Sequence, residues 1–206
     1  MITLTARSIS KRFNRSWIIR EFSGEFRGGE VVGIAGRNGS GKSTLLRMLG
    51  GQLSPSRGRV VAELEGKEIK AEDRYRSVVW TGPYLEVPEE MTVSEFLTFH
   101  YKFKPLLPGI TADDLPERLD LRPARNRKLL ECSSGMRQRV LLASALYADV
   151  PLVLLDEPTL TLDDTARAWF YGQLAEHRGD RLILLGSNDT EDLRHCDRVV
   201  TLVSGV

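Results

Sequence analysis

The sequence predicts an α/β fold: a core with a mainly parallel sheet, an N-terminal antiparallel β region, and an inserted α-helical subdomain. Three observations carry that prediction. A glycine-rich loop at residues 36–41 stands between a short apolar run and a helical pattern. From Pro151 onward, apolar runs of strand length alternate with helical stretches, the pattern of a parallel sheet whose ligands gather at the strand carboxyl ends. Between these two parts, roughly residues 84–150 read as helical. The expected organisation is therefore one domain, with residues 1–83 and 151–206 as core and 84–150 as the insertion.

Taken in chain order, residues 2–6 alternate as an edge strand would, and 17–20 begin a second short strand. Residues 30–35 are a short apolar run of strand type, and 43–49 form a helix closed by Gly50-Gly51. Residues 59–64 and 77–80 are further strands. Thr92-Val93-Ser94-Glu95 is a capping box, with Thr92 at the N-cap and Glu95 three positions on. It opens a helix whose Val93, Phe96, Leu97 and Tyr101 share one face. A second helix starts at Thr111-Ala112-Asp113-Asp114 and a third at Ser134. Strand 152–155, helix 164–176, and strands 181–185 and 198–203 complete the chain.

Gly36-Arg37-Asn38-Gly39-Ser40-Gly41-Lys42-Ser43-Thr44 fits the pattern G-x-x-x-x-G-K-S/T of a phosphate-binding loop. Glycines let backbone come close to an anion, and successive N–H groups then turn inward around a β-phosphate. Lys42 can reach the β- and γ-phosphates, Ser43 offers a hydroxyl to Mg2+, and the following helix places its positive end behind the site. This pattern makes a nucleoside triphosphate the expected ligand. Leu152-Val153-Leu154-Leu155-Asp156-Glu157 is an apolar strand ending in two carboxylates. The first, Asp156, can face the Mg2+ shell while the next, Glu157, faces an attacking water.

The 206 residues suffice for one sizeable core. Net charge is +1 from 29 basic and 28 acidic side chains, so no whole-molecule field favours nucleic acid or an anionic membrane. The five basic residues between Arg118 and Lys128 read as a solvated helical face. Cys132 and Cys196 make no disulfide framework and are expected reduced, in an ATP-rich cytosol. No apolar run approaches the ~20 residues of a membrane span, and the N-terminal residues carry no secretory pattern. If the protein works at a membrane, the expectation is that another chain supplies the span.

Taken together, these motifs resemble those of the ATP-binding cassette (ABC) ATPases, the motor subunits of ABC transporters, over essentially the whole chain. The stretch from Asn38 to Thr44 resembles their Walker A motif, and Leu152 to Glu157 their Walker B with its catalytic glutamate. Ser133-Ser134-Gly135-Met136-Arg137-Gln138-Arg139 resembles the family signature, usually S-G-G-Q, with Ser134 and Met136 as variants. Leu160-Thr161-Leu162-Asp163 resembles the D-loop, and Phe13 matches the aromatic that stacks on adenine, with Trp17 as competitor. The resemblance implies that two cassettes pair head to tail, as a homodimer or heterodimer. Each ATP then lies between one Walker A loop and the partner's Ser133, Ser134, Gly135 and Asp163. It also implies a transmembrane permease partner, a cytoplasmic location at the inner face of the membrane, MgATP as the bound species, and no nucleic acid.

Two departures stand out. The family's glutamine after the 77–80 strand is missing, since the chain continues Thr81-Gly82-Pro83-Tyr84. The histidine after the 181–185 strand is replaced, Gly186-Ser187-Asn188-Asp189 putting Asn188 in its place. Asn188 can donate a hydrogen bond but carries no proton or charge. Each loss of a preorganised contact costs about 1–3 kcal/mol, or roughly ten- to a hundredfold in rate. His195 falls beyond reach of that position, and His100 and His177 read as surface or packing residues. Slow hydrolysis and a subfamily with its own standard residues both fit these departures. Pro83, Tyr84 and Leu85 either meet a permease or pack beneath the helical subdomain. Phe96, Leu97, Thr98 and Phe99 are expected to be partially exposed where a membrane partner would cover them. A soluble cassette without a transport role, or a low-turnover nucleotide-gated protein, remains an alternative.

Overall fold

The computed structural model describes residues 1–83 and 85–202, and they form two sheets. The antiparallel sheet has the order β2-β1-β4-β5, from β1 (Ile2–Phe13), β2 (Ser16–Arg27), β4 (Arg57–Leu64) and β5 (Lys67–Glu68). The parallel sheet has the order β6-β7-β8-β3-β9, from β3 (Val31–Ala35), β6 (Val78–Thr81), β7 (Leu152–Asp156), β8 (Leu182–Ser187) and β9 (Arg198–Thr201). Every pairing in this second sheet is parallel. β7 and β8 are buried at every residue, which is why they read as unbroken apolar runs rather than alternating ones.

The helices are α1 (Lys42–Leu49), α2 (Val93–His100), α3 (Leu115–Arg118), α4 (Ser134–Leu146), α5 (Asp164–His177) and α6 (Thr190–Arg194). One apolar cluster lies between the antiparallel sheet, α1 and one face of the parallel sheet, with Leu4, Ile9 and Phe26 against Leu45, Leu49, Ile34 and Leu184. A second covers the opposite face through α4 and α5, and a third fills the helical layer around Val93, Leu97, Leu115 and Leu129. Helix α4 belongs to both of the latter. Its Leu142, Ala145 and Leu146 pack on the sheet side, while Val140, Leu141 and Ala143 pack into the helical layer.

Several local expectations need correction. β1 is an internal strand flanked by β2 and β4, not an edge, and it runs to Phe13. Register shifts after Ala6, with Ser8 at φ 47°, break the alternation that marks a strand in sequence. β2 likewise extends to Arg27 past an irregular Glu21 at φ 48°. No long helix starts at Thr111. Its amide and hydroxyl both donate to Asp114 Oδ2 (2.9 and 2.7 Å), and the four-residue α3 begins only at Leu115. A left-handed Asp120 (φ 55°) and Pro123 break up the following chain, which makes only short 3-10 turns with its basic residues exposed. Phe96 and Leu97 are core residues of the helical layer. Of the stretch expected to await a membrane partner, only Thr98 and Phe99 are exposed. The last strand's expected end, Val203, and Tyr84 lie outside the described residues.

The capping box forms as read. Thr92 Oγ1 accepts from the Glu95 amide (3.2 Å) and Glu95 Oε2 accepts from the Thr92 amide (2.8 Å). Thr92→Ala should therefore destabilise the chain by about 1 kcal/mol. Urea unfolding should show a lower midpoint with an unchanged slope.

Candidate functional site

Parallel pairing sets the carboxyl ends of the central strands level. Ala35 of β3 pairs with Ser187 of β8, and Asp156 of β7 pairs with Gly186 of β8. The loop after β3 turns back sharply into α1. Gly39 (φ 80°) and Gly41 (φ 99°) hold left-handed conformations, and a Cβ on Gly36 would fall 2.4 Å from Ser40 Oγ. Lys42 is folded over this loop, donating to the carbonyls of Gly36 (2.8 Å) and Arg37 (3.4 Å). Its ammonium also meets Glu157 Oε1 at 2.9 Å, both side chains being largely buried. Ser43 and Thr44 follow in the first turn of α1, and with Asn38, Gly39, Gly41 and Lys42 they line a cleft of about 710 Å3.

Asp156 is fully buried, and neither carboxylate oxygen has a hydrogen-bond partner among the described residues. Burial pushes its pKa up. The Ser43 hydroxyl opposes that rise without completing a well-formed hydrogen bond, and the Glu157 charge adds to it. An acid left unsatisfied at the carboxyl end of β7, beside the Ser43 hydroxyl of α1, has the donor set of a hard cation that arrives with phosphate and water as its other ligands. Glu157 sits at φ 48°, a conformation uncommon for a residue with a side chain, and its amide donates to Gly186 O at 2.7 Å. That turn directs Glu157 into the cleft while Asp156 points beneath the loop.

On the outer side of the cleft stands Phe13, 47% exposed, beside Ile18. Trp17 does not line it. Its ring lies between Arg12 (5.5 Å) and Arg57 (5.0 Å), facing a separate depression. Geometry thus separates two aromatics that the sequence left in competition. Across the cleft, Asn188 donates from Nδ2 to Asn38 Oδ1 at 3.0 Å, joining the end of β8 to the phosphate-binding loop. Sequence gave no signal for that contact, nor for the Lys42–Glu157 ion pair, because both cross between distant segments. His195 stacks on Tyr171, His100 meets Ser144 O and His177 packs on Tyr147; none of the three lines the cleft.

The end of β6 is closely packed where the family's glutamine is missing. Thr81 is buried, and a Cβ on Gly82 would stand 3.0 Å from Asp156 Cβ and 3.2 Å from the Trp80 ring. A side chain at Gly82 would require Asp156 or the Trp80 ring to give way slightly. Pro83 is exposed at the cleft rim, whereas Leu85 packs onto the helical layer.

Ser133, Ser134, Gly135 and Asp163 do not line this cleft. Ser133 caps α4, its Oγ accepting from the Met136 amide (3.2 Å), and Asp163 caps α5, accepting from Ala166 (2.8 Å). Ser133, Ser134 and Asp163 are exposed. Gln138 ties the start of α4 to the core by donating to Pro158 O at 2.9 Å.

A family model described as ABC transporter matches residues 19–160. The ABC transporter ATP-binding protein NatA of Bacillus subtilis is 35% identical, over 100% of this chain and 87% of that protein. The cytochrome c biogenesis ATP-binding export protein CcmA of Agrobacterium fabrum is 35% identical over 89% of this chain and 87% of its own length. An ATP-binding cassette solved as a dimer in a post-hydrolysis state with ADP and Pi superposes with a TM-score of 0.82 at 21% identity, covering 97% of this chain and 94% of that one. Motif order, cleft geometry and full-length likeness agree, and the chain belongs to the ABC transporter family, as one of its ATP-binding subunits.

Proposed function

We propose that this chain binds MgATP in the cleft between Phe13 and Asn188 and hydrolyses it slowly with Glu157 as general base. It does so within a head-to-tail pair of cassettes that drives a membrane permease from the cytoplasmic face. The observation that carries the reading is the buried, unpartnered Asp156 carboxylate beside the glycine loop, adjacent in sequence to a Glu157 that faces the cleft. Phe13 stacks on the base. The amides of residues 36–44 cradle the phosphates, and Ser43 and Asp156 hold the cation. Mg2+, when bound with the nucleotide, offsets the charge that develops on the phosphate oxygens.

The chemistry then rests on the chain's own groups. Without nucleotide, Lys42 neutralises Glu157. An incoming γ-phosphate competes for the ammonium, and Lys42 transfers to it, leaving Glu157 free to accept a proton from water. Asn188 donates a hydrogen bond to a γ-phosphate oxygen, but as a neutral group it contributes less than a charged histidine. Thr81-Gly82-Pro83 supplies no side-chain amide to hold the water, so turnover is slow. Ser133, Ser134 and Asp163, exposed at capped helix starts, and the half-buried Gly135 beside them serve the γ-phosphate of the partner cassette's ATP. The exposure of Ser133, Ser134 and Asp163, and the absence of all four residues from the lining of their own cleft, support that assignment. The relatives named for transport and export support the permease partner. The second cassette is either a copy of this chain or a related one.

Steady-state ATP hydrolysis and gel filtration in MgATP test the reading. Glu157→Gln should lose at least about tenfold in turnover and elute as an ATP-trapped dimer. Equal turnover in the mutant would remove Glu157 as base. ATP-dependent dimerisation without wild-type turnover would favour a nucleotide switch over a motor. Asn188→His should speed hydrolysis, by up to about tenfold, with little change in ATP affinity.

The raised Asp156 pKa fixes the sign of a pH effect. With the folded-state value above the unfolded one, the nucleotide-free chain loses stability as pH rises through that interval, and at neutral pH it bears the full cost of the buried charge. Asp156→Asn should therefore stabilise the nucleotide-free chain at pH 7 by about 1–2 kcal/mol, an advantage that shrinks in acid, while Mg2+-dependent binding is lost. Thermal melts across pH, with and without MgATP, read both effects.

A further inference from the structure

A second buried carboxylate takes no part in the chemistry above. Asp192, on α6, is fully buried and is held by hydroxyl donors alone. Thr159 Oγ1 reaches its two oxygens at 2.9 and 3.0 Å, Ser187 Oγ donates at 2.6 Å and Tyr171 OH at 2.8 Å. Two of these donors have telling places. Thr159 stands two residues after Glu157, and Ser187 immediately precedes Asn188. Both are themselves buried, and Ser187 Oγ also accepts from the Asp189 amide (3.0 Å), so its hydroxyl is fixed on both sides. Burying a carboxylate against neutral hydroxyls costs free energy that an apolar side chain would not. What it secures here is a rigid tie between the two loops that leave β7 and β8.

We propose that Asp192 is a positioning residue for hydrolysis, clamping the segment that carries Glu157 to the segment that carries Asn188 so that base and phosphate donor keep a fixed separation. The inference rests on the roles assigned above to Glu157 and Asn188. It requires the clamp to matter for the rate and not for nucleotide binding, since the glycine loop and Phe13 lie outside it. Tyr171, on α5, holds the same carboxylate from outside both catalytic segments and provides the comparison.

The experiment compares Thr159→Val, Ser187→Ala and Tyr171→Phe, with Thr159→Ser as the conservative control. Single-turnover hydrolysis with protein in excess, MgADP affinity by calorimetry and melting temperature are measured for each. Removing either bridging hydroxyl should slow hydrolysis about ten- to a hundredfold, with MgADP affinity held within about twofold. Thr159→Ser should restore the rate. Tyr171→Phe should lower the melting temperature comparably yet turn over like wild type. Rate losses that follow melting temperature across all three variants, or that come with equal losses of affinity, would show a merely structural carboxylate and overturn the proposal. Glu157→Gln run alongside keeps the two assignments apart. Normal turnover in that mutant removes the base on which the inference stands. Its loss of turnover together with normal rates in Thr159→Val and Ser187→Ala removes the clamp alone.

Discussion

The parallel register of β3, β8 and β7 is the constraint on which the rest of the molecule depends. Strands buried on both faces cannot place polar groups along their length, so such groups collect where the strands end. Pairing Ala35 with Ser187 and Asp156 with Gly186 brings three strand ends to one level, and the phosphate loop, the acidic pair and Asn188 all issue from that edge. A one-residue slip between β7 and β8 would exchange the directions of Asp156 and Glu157, sending the fully buried acid toward the cleft and the cleft-facing one beneath the loop. Gly186 shows how tight the fit is. A Cβ there would stand 2.9 Å from Leu46 and 3.3 Å from Asp156 Oδ1.

Polar groups at this edge are handled in two different ways. Asp192 is satisfied by three hydroxyls, whereas Asp156 has no partner among the described residues. The first arrangement suits a group that never changes state, because every lone pair it needs is already engaged. The second suits a group whose partner arrives with the ligand, and the cost of waiting is spread over the surrounding core. Lys42 and Glu157 lie between these extremes. They satisfy each other across 2.9 Å, and in the proposed mechanism the arrival of a phosphate exchanges one anionic partner of Lys42 for another.

Local chemistry made much of this legible in the sequence. The 36–44 loop, the Thr92 capping box and the apolar runs of β7 and β8 each depend on neighbours in the chain, and each forms where residue pattern places it. What stayed hidden depends on long-range fit. The bulges that lengthen β1 and β2 hide their strand periodicity, and α6 is too short to show a helical one. Asn188 was identifiable by position, but its bond to Asn38 spans 150 residues, and the Asp192 clamp draws on β8, α5 and the turn after β7. Phe13 rather than Trp17 lines the cleft, and the Trp17 ring meets two arginines from other strands, Arg12 of β1 and Arg57 of β4, which no local pattern foretells.

Helix α4 is embedded in two hydrophobic clusters at once, with aliphatic side chains on the sheet side and on the helical-layer side. A beam anchored in this way has no free joint at its base. If the helical layer tilts against the core, Leu142, Ala145 and Leu146 must slide across their neighbours, and dispersion contacts by themselves resist such shear weakly and evenly. Directional restraints sit at both ends: Gln138 donates to Pro158 O next to the turn that carries Glu157, and Arg181 donates to Leu146 O at 2.8 Å, with Tyr101 OH donating to Ala143 O between them. Motion of the outer layer is thereby resisted along the length of α4, and its first turn is tied directly to the segment that carries Glu157.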